Sequence, residues 1–396
     1  MLSVFVIHED GSHSFLIFYG LGYCYNLFFF YLLVGATRTR QTSLTEQLIC
    51  FRYGRLSNMR ITKFLKTITL TAAAVAITTA AQAQEFKLRW GHYLPNSAFV
   101  QVEKDFAKKI EQRTNGRVKI DITFAGGLGK GNEVALLAGR GAIDMASVAM
   151  GYYPDQLLFW KAYQIPFIFD DPVQAINIVH KSYKEFPIFK QESDKINVNY
   201  LFQQPLGSYY MTGPSPNCTT VEALKGKKIR SFGADLPKMH NAIGAVPVTV
   251  RPTEVYEALQ RGTIDYSFLN AGNVESLRLY EPGKYSCGTA MTIAGHMIVI
   301  GKRTWAKLPK DIQDIFMDQA AKSQKEYLDW LVTGTKTSIA NIKKAGGVFK
   351  EFPASELAKW KAATPDLLQG WADTMKKRGF GEQAAEVAAA WRAWTK

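Results

Sequence analysis

The fold is decided by three short segments, KLRWGHY, RVKIDITF and AIDMASV, at residues 87–93, 117–124 and 142–148. Each combines apolar residues with the short length typical of a buried or half-buried β-strand. Between the first two, apolar residues recur at helical spacing, and between the second and third a glycine-rich turn at 126–131 leads into a predicted helix at 133–138. This β-α-β-α-β series predicts a largely parallel sheet whose ligands lie beyond the carboxyl ends of the strands.

A second series follows later in the chain. Strands are predicted at 228–232, 246–250 and 264–268, with helices at 237–243 and 254–261. A strand at 291–301 returns between the two halves, and helical patterns fill 309–333 and 354–395. We therefore predict an α/β protein of two lobes joined by a hinge, with the ligand in the cleft between them. The predicted divisions are 84–205 for most of lobe 1, 206–290 for most of lobe 2, and 291–396 completing both.

The N-terminal region contains a complete secretory signal. Met59 is followed by basic residues, an uncharged run at 67–81, and the small-residue cleavage motif Ala81-Gln82-Ala83. We predict a signal peptide at 59–83 and export of residues 84–396 to the periplasm.

Residues 1–58 require a separate explanation, because the stretch 15–36 is uncharged and long enough to cross a bilayer. The basic residues after it would hold that end in the cytoplasm, which conflicts with the export signal that follows. We interpret 1–58 as an upstream extension from a start codon placed too early. A genuine anchor or an unusual presequence is the alternative.

Two of the four cysteines, Cys218 and Cys287, belong to the predicted exported chain. An oxidising compartment favours their pairing. The sequence does not give the distance between them, so a disulfide and two separate buried thiols both stay open.

Composition excludes several classes of function. The formal charge is +14, but no basic block accounts for it. Runs such as Glu103-Lys104-Asp105 are typical of a solvated helix face, so nucleic-acid binding is not expected. The histidines show no metal-ligand spacing, no Gly-x-Ser-x-Gly motif is present, and the turn at 126–131 lacks the Lys-Ser/Thr pair of a phosphate-binding loop. We expect no metal, no cofactor and no enzymatic activity.

Candidate ligand contacts come from strand ends. Tyr93 follows the first predicted strand, and Tyr152 follows the third, where aromatic rings could stack on a solute or simply pack at the lobe margin. Arg230 ends the apolar stretch 224–229, and its guanidinium offers the paired donors that fit a carboxylate. A surface arginine on an edge strand is the alternative.

The chain resembles the solute-binding subunits of tripartite ATP-independent periplasmic (TRAP) transporters, of the dicarboxylate-binding type. The resemblance is most specific in LKGKKIR at 224–230 and EVYEALQRGTID at 254–265, supported by TNGR, GRGAID and IPFIF at 114–117, 139–144 and 165–169. It implies two lobes joined by crossing strands and a long interlobe helix, closing over an organic acid for delivery to a membrane permease. We expect the receptor to be a monomer. It also implies that Arg230 clasps the ligand carboxylate.

Two departures from the family pattern bear on the ligand. Tyr209 stands where many members carry a second arginine, and the segment 265–270 reads DYSFLN, so the family's amide contact falls to Leu269 or Asn270. With Tyr209, Phe232 and Phe268 enriching the cleft in apolar surface, we hypothesise a monocarboxylate with a hydroxylated or aromatic body.

The predicted function is capture of a small organic acid outside the cytoplasmic membrane for a TRAP permease. The alternatives are a binding subunit for an ATP-driven importer or a sensor, and a secreted enzyme on the same scaffold.

Overall fold

The computed structural model describes residues 4–9, 12–17, 85–288, 291 and 294–395. The chain divides into two units, Met1–Thr71 and Ala72–Lys396. The first contains two antiparallel strands, β1 (Val4–Glu9) and β2 (Ser12–Ile17). Apart from these strands, the predicted extension at 1–58 and the signal peptide at 59–83 lie outside the described residues. Among the residues that the structure describes, no helix has the length and apolar composition needed to cross a bilayer.

The larger sheet of the second unit has the strand order β4-β3-β5-β12-β6. Its strands are β3 (Phe86–Gly91), β4 (Val118–Thr123), β5 (Met145–Val148), β6 (Val198–Pro205) and β12 (Ala294–Gly301). The first three are parallel, as the βαβαβ pattern predicts, whereas β12 runs antiparallel between β5 and β6. The predicted returning strand therefore completes this sheet.

The smaller sheet has the order β10-β7-β11-β13, with strands β7 (Tyr209–Gly213), β10 (Ser267–Asn270), β11 (Tyr285–Gly288) and β13 (Val348–Glu351). Beside it, β8 (Lys228–Ser231) and β9 (Val246–Thr249) form a parallel pair, which Ile229 connects to Tyr266 by a single bridge. The chain passes between the two sheets three times, from β6 to β7, from β11 to β12, and from β12 to β13. These crossings form the hinge of a two-lobed fold.

Helices cover the sheets. In chain order they are α1 (Gln101–Arg113), α2 (Val134–Arg140), α3 (Pro172–Glu185), α4 (Pro187–Lys195), α5 (Val221–Leu224), α6 (Leu236–Asn241), α7 (Val255–Gln260), α8 (Ala271–Ser276), α9 (Lys302–Lys307), α10 (Lys310–Lys344), α11 (Ala354–Ala363), α12 (Leu367–Lys377) and α13 (Gly381–Trp394). Short 3-10 turns occur at Ala98–Val100, Met150–Tyr152, Trp160–Gln164 and Pro252–Glu254.

The helix α10 spans 35 residues and extends beyond the predicted end at 333. It packs on β6 and α1 of the larger lobe and on α8 and β13 of the smaller one. Its buried residues include Ile312, Phe316, Ala320 and Tyr327, which follow helical spacing along one stripe. One rigid helix therefore supports both lobes.

The predicted helical region 354–395 consists of three helices. It breaks after Thr364, where Pro365 cannot continue the ladder, and again at Gly379, which has a φ of 85°. The ring nitrogen of Trp360 donates to the carbonyl of Met239, and that of Trp371 to Leu158, at 2.9 Å each. The C-terminal helices are thereby fastened to both halves of the chain.

The structure decides the cysteine question that the sequence left open. Cys218 and Cys287 form a disulfide with their Cα atoms 5.8 Å apart. It ties the loop before α5 to β11 within the smaller lobe.

Candidate functional site

The cleft contains a small chamber of about 30 Å³ between the two lobes. Both lobes and the crossing segment contribute to its walls. Its lining within the described part of the chain is Tyr93, Leu94, Phe99, Ala149, Tyr152, Gln164, Gln204, Leu206, Tyr209, Arg230, Phe232, Pro252, Leu269, Asn273, Gly295 and His296. A wider vestibule of about 420 Å³ shares Tyr93, Tyr152, Phe232 and Pro252 with the chamber. The glycine turn 126–131 borders this vestibule as a strand-to-helix turn, as predicted.

Local structure explains these positions. Tyr93 follows β3 and Tyr152 ends the turn after β5, while Arg230 lies in β8. Each therefore lies near the carboxyl end of a parallel strand, where ligands of such sheets collect.

Arg230 is the charge at the chamber wall, and only 1% of it is exposed. Its Nε donates to the carbonyl of Val250 at 3.1 Å and one terminal nitrogen donates to that of Phe268 at 3.3 Å. The guanidinium lies 4.8 Å from the ring centre of Phe232. Among the described residues, no carboxylate forms an ion pair with it. A guanidinium has five N–H donors, so it retains capacity for an anion.

His240 is a buried titratable group close to Arg230. It is fully buried against Phe268 and Trp360, and neither ring nitrogen has a hydrogen-bond partner among the described residues. Burial, together with the nearby charge of Arg230, lowers the pKa of His240 to about 3. The imidazole is therefore neutral near pH 7 and adds no second positive charge beside Arg230.

Glu103 is the second buried charge of the cleft region. Its carboxylate accepts hydrogen bonds from Ser147 Oγ at 2.7 Å and from Tyr327 Oη, and lies 2.8 Å from His296 Nε2 and 3.0 Å from His92 Nε2. Burial alone would raise the pKa of Glu103, but the two histidines outweigh it and hold that pKa well below its usual range. Glu103 is therefore ionised, and Ser147, Tyr327 and His296 are hydrogen-bonded to its carboxylate.

This position corrects the sequence interpretation of Glu103 as part of a solvated face. Glu103 lies three residues before Phe106 on α1, so it shares the buried stripe of that helix. Its neighbour Lys104 faces outward and binds Asn96.

His92, Glu103 and His296 bring three potential metal-ligating atoms within 4.8 Å of one another. The backbone N–H of Leu94, however, donates to His92 Nδ1 at 3.0 Å, so that nitrogen carries no proton. The ring proton is then on Nε2, facing Glu103, and a protonated nitrogen cannot ligate a metal. The cluster is a hydrogen-bond network built around a carboxylate.

Of the seven predicted ligand contacts, five line the chamber: Tyr93, Tyr152, Tyr209, Arg230 and Phe232. Phe268 and Asn270 do not. The Phe268 ring packs behind the wall on Tyr209, and Asn270 caps α8 by accepting from the N–H of Asn273 at 3.1 Å. Leu269, the other residue considered for the family's amide position, lines the chamber, and it also belongs to the apolar cluster around Val255 and Val274.

Sequence reasoning missed the polar residues Gln164, Gln204, Asn273 and His296. Gln204 is the last residue but one of β6, and its position just before the chain crossing was the available signal. The others reach the chamber from separate elements, and no local pattern marks them.

Comparisons with known proteins agree with this geometry. Residues 91–374 match the family described as bacterial extracellular solute-binding protein, family 7. The C4-dicarboxylate-binding periplasmic protein DctP of Rhodobacter capsulatus is 23% identical over 325 residues, covering 81% of this chain and 95% of that protein.

Solved structures share the fold. A TRAP periplasmic solute-binding protein of Sulfitobacter sp. NAS-14.1 with bound β-D-galacturonate has a TM-score of 0.68 at 17% identity, covering 78% of this chain and 99% of that one. A Bordetella pertussis extracytoplasmic solute receptor that binds pyroglutamic acid has a TM-score of 0.67 at 20% identity, covering 76% and 99%. A TRAP periplasmic solute-binding protein of Pseudomonas putida F1 with bound D-glucuronate has a TM-score of 0.64 at 25% identity, covering 76% and 97%.

Fold and cleft together define a two-lobed solute receptor. The chain belongs to family 7 of the bacterial extracellular solute-binding proteins, and it is a solute-binding subunit of the TRAP type.

Proposed function

We propose that this receptor captures a small organic acid by its carboxylate, with Arg230 as the group that holds it, and delivers it to a TRAP membrane permease. The observation that carries the proposal is a fully buried guanidinium with no ion-pairing carboxylate among the described residues. Burying an unpaired charge is costly, so such a charge at a chamber wall favours an anionic occupant.

The remaining contacts suit a solute with an apolar or aromatic body. Tyr152 packs edge-on against Phe232 with ring centres 6.1 Å apart, and Tyr93 packs similarly against Tyr152 at 5.9 Å. The ligands named for three similar structures, galacturonate, pyroglutamate and glucuronate, each carry one carboxylate.

The mechanism follows from two lobes and one hinge. The open form exposes Arg230, and the ligand then bridges the lobes. Closure is favoured because the closed state adds contacts from Tyr93 and Tyr152 of the other lobe. The receptor binds its solute without transforming it. It works as a monomer in the periplasm, after removal of the signal peptide at 59–83.

The test is a binding panel of organic acids, read first by thermal shift and then by calorimetry. A rise in melting temperature with monocarboxylates that disappears in Arg230→Met supports the proposal. Equal binding by the variant and the native protein would contradict it. N-terminal sequencing of the protein exported by a bacterial host tests cleavage after Ala83.

A further inference from the structure

Each proton on the groups hydrogen-bonded to Glu103 can be assigned to one atom. Two series of hydrogen bonds lead from Glu103 to the chamber. An ionised carboxylate only accepts hydrogen bonds, so every neighbour that touches it must donate. Glu103 thus fixes the direction of each hydrogen bond leading away from it.

The first route passes through Tyr327. Its hydroxyl has one proton, which goes to Glu103. The Tyr327 oxygen can therefore only accept from Gln204, whose side-chain Nε2 lies 3.5 Å away. This orients the amide of Gln204, a chamber residue, and leaves its Oε1 buried without a partner among the described residues.

The second route passes through His296. Burial lowers the pKa of His296, although the charge of Glu103 opposes this, so the ring is neutral near pH 7. Its Nε2 donates to Glu103 at 2.8 Å, and its Nδ1 therefore accepts from the Tyr93 hydroxyl at 3.2 Å. Burial above all raises the pKa of Tyr93 well above its usual value, which keeps that proton in place. The Tyr93 oxygen has only lone pairs left for the chamber.

We propose that Glu103 makes this part of the chamber an acceptor surface, so the receptor selects a monocarboxylate that also carries a hydrogen-bond donor, a hydroxyl or an N–H group. This inference rests on the proposed function, in which Arg230 holds the carboxylate. The donor group of the ligand pairs with Gln204 Oε1 and the Tyr93 oxygen. A second carboxylate has no proton to donate and faces lone pairs there, so dicarboxylates are rejected.

The experiment compares acids that differ only at one end, using calorimetry on the full protein. One trio is 4-hydroxybutyrate, butyrate and succinate, and the other is 4-hydroxybenzoate, benzoate and terephthalate. We expect the hydroxy acid of at least one trio to bind about tenfold more tightly than its unsubstituted partner, because a buried acceptor otherwise stays unpaired. The dicarboxylate should bind most weakly.

Variants locate the effect. Gln204→Met keeps most of the side-chain volume and removes the acceptor, so the preference for the hydroxy acid should fall to within about twofold, with the unsubstituted acid little affected. Tyr93→Phe should reduce the same preference. Tyr210→Phe is the matched control, since Tyr210 packs on Phe349 outside the chamber lining and should leave the preference unchanged.

The outcomes separate the two proposals. Acids that bind through Arg230 without any advantage of the hydroxy member, or with the dicarboxylate tightest, would overturn the donor requirement alone. Absence of binding by every monocarboxylate, in a panel extended to glucuronate and pyroglutamate, would overturn the proposed function itself. The comparison within each trio uses the native protein, so it remains decisive if a variant fails to fold.

Discussion

Arg230 and Glu103 are both buried charges of the cleft region, but their surroundings are of opposite kinds. Glu103, in the larger lobe, is met by Ser147, Tyr327 and two histidines. Arg230, in the smaller lobe, has two backbone carbonyls and an aromatic ring, and no carboxylate among the described residues. A charge whose partners all come from the protein organises the fold, whereas one that lacks an ionic partner is available to a ligand. The following predictions test this contrast.

The largest expected effect is on binding by Arg230→Met. Affinity for the bound acid should fall by about 4 kcal/mol, or a thousandfold, because the ligand carboxylate would be buried without its partner. The free energy of unfolding without ligand should change little, since the variant also removes an unpaired buried charge. Calorimetry and urea unfolding measure the two effects.

Arg261→Met serves as the control for this prediction. Arg261 is exposed on the same lobe beside Glu257, and its loss should alter neither quantity. Affinity of Arg230→Met within twofold of the native value would show that Arg230 does not hold the ligand.

Glu103→Gln should lower the stability of the ligand-free protein, which Arg230→Met should not. A neutral amide cannot accept from all the donors around it, so the free energy of unfolding should fall by about 3 kcal/mol even without ligand. Denaturant unfolding of the ligand-free protein measures it. An unchanged midpoint would mean that the network contributes little to the fold.

His240→Leu tests whether His240, beside Arg230, is neutral in the folded protein, and the test uses the pH dependence of stability. The folded-state pKa of His240, about 3, is below the ordinary value of about 6.5, so the unfolded chain takes up a proton that the folded one refuses as pH falls. This neutral histidine should cost about 2 kcal/mol of stability between pH 7 and pH 5, and the leucine variant should lose less over that range. The slope of unfolding free energy against pH measures it, and comparing slopes cancels any constant packing effect. Equal slopes for the native protein and His240→Leu would show that the pKa of His240 is not lowered in the folded protein.

The smallest expected effect is that of Phe232→Leu. Loss of the ring over Arg230 should weaken binding by about 1 kcal/mol, or fivefold, through the cation–π contact and the lost apolar surface. Calorimetry with the same acid measures it. A loss as large as that of Arg230→Met would show that the ring, and not the charge, dominates recognition.

The chamber itself was only partly predictable. Tyr93, Tyr152 and Arg230 could be anticipated because strand ends follow directly from local pattern. The choice among Phe268, Leu269 and Asn270 could not, since every residue of β10 is buried on both faces and hydrophobic alternation gives no register there. Glu103 was misassigned because its charged neighbours hid a position on the inward stripe of α1.

The sequence by itself determined the alternation of strands and helices, the family and the arginine on β8, because these depend on residues close together in the chain. Only the tertiary structure decided which polar groups meet. Glu103, His296, Tyr327 and Gln204 come from four distant segments, and their hydrogen bonds exist only once the larger sheet and α10 have packed. The direction of each hydrogen bond depends on that packing. The donor group that we expect on the ligand is inferred from those directions.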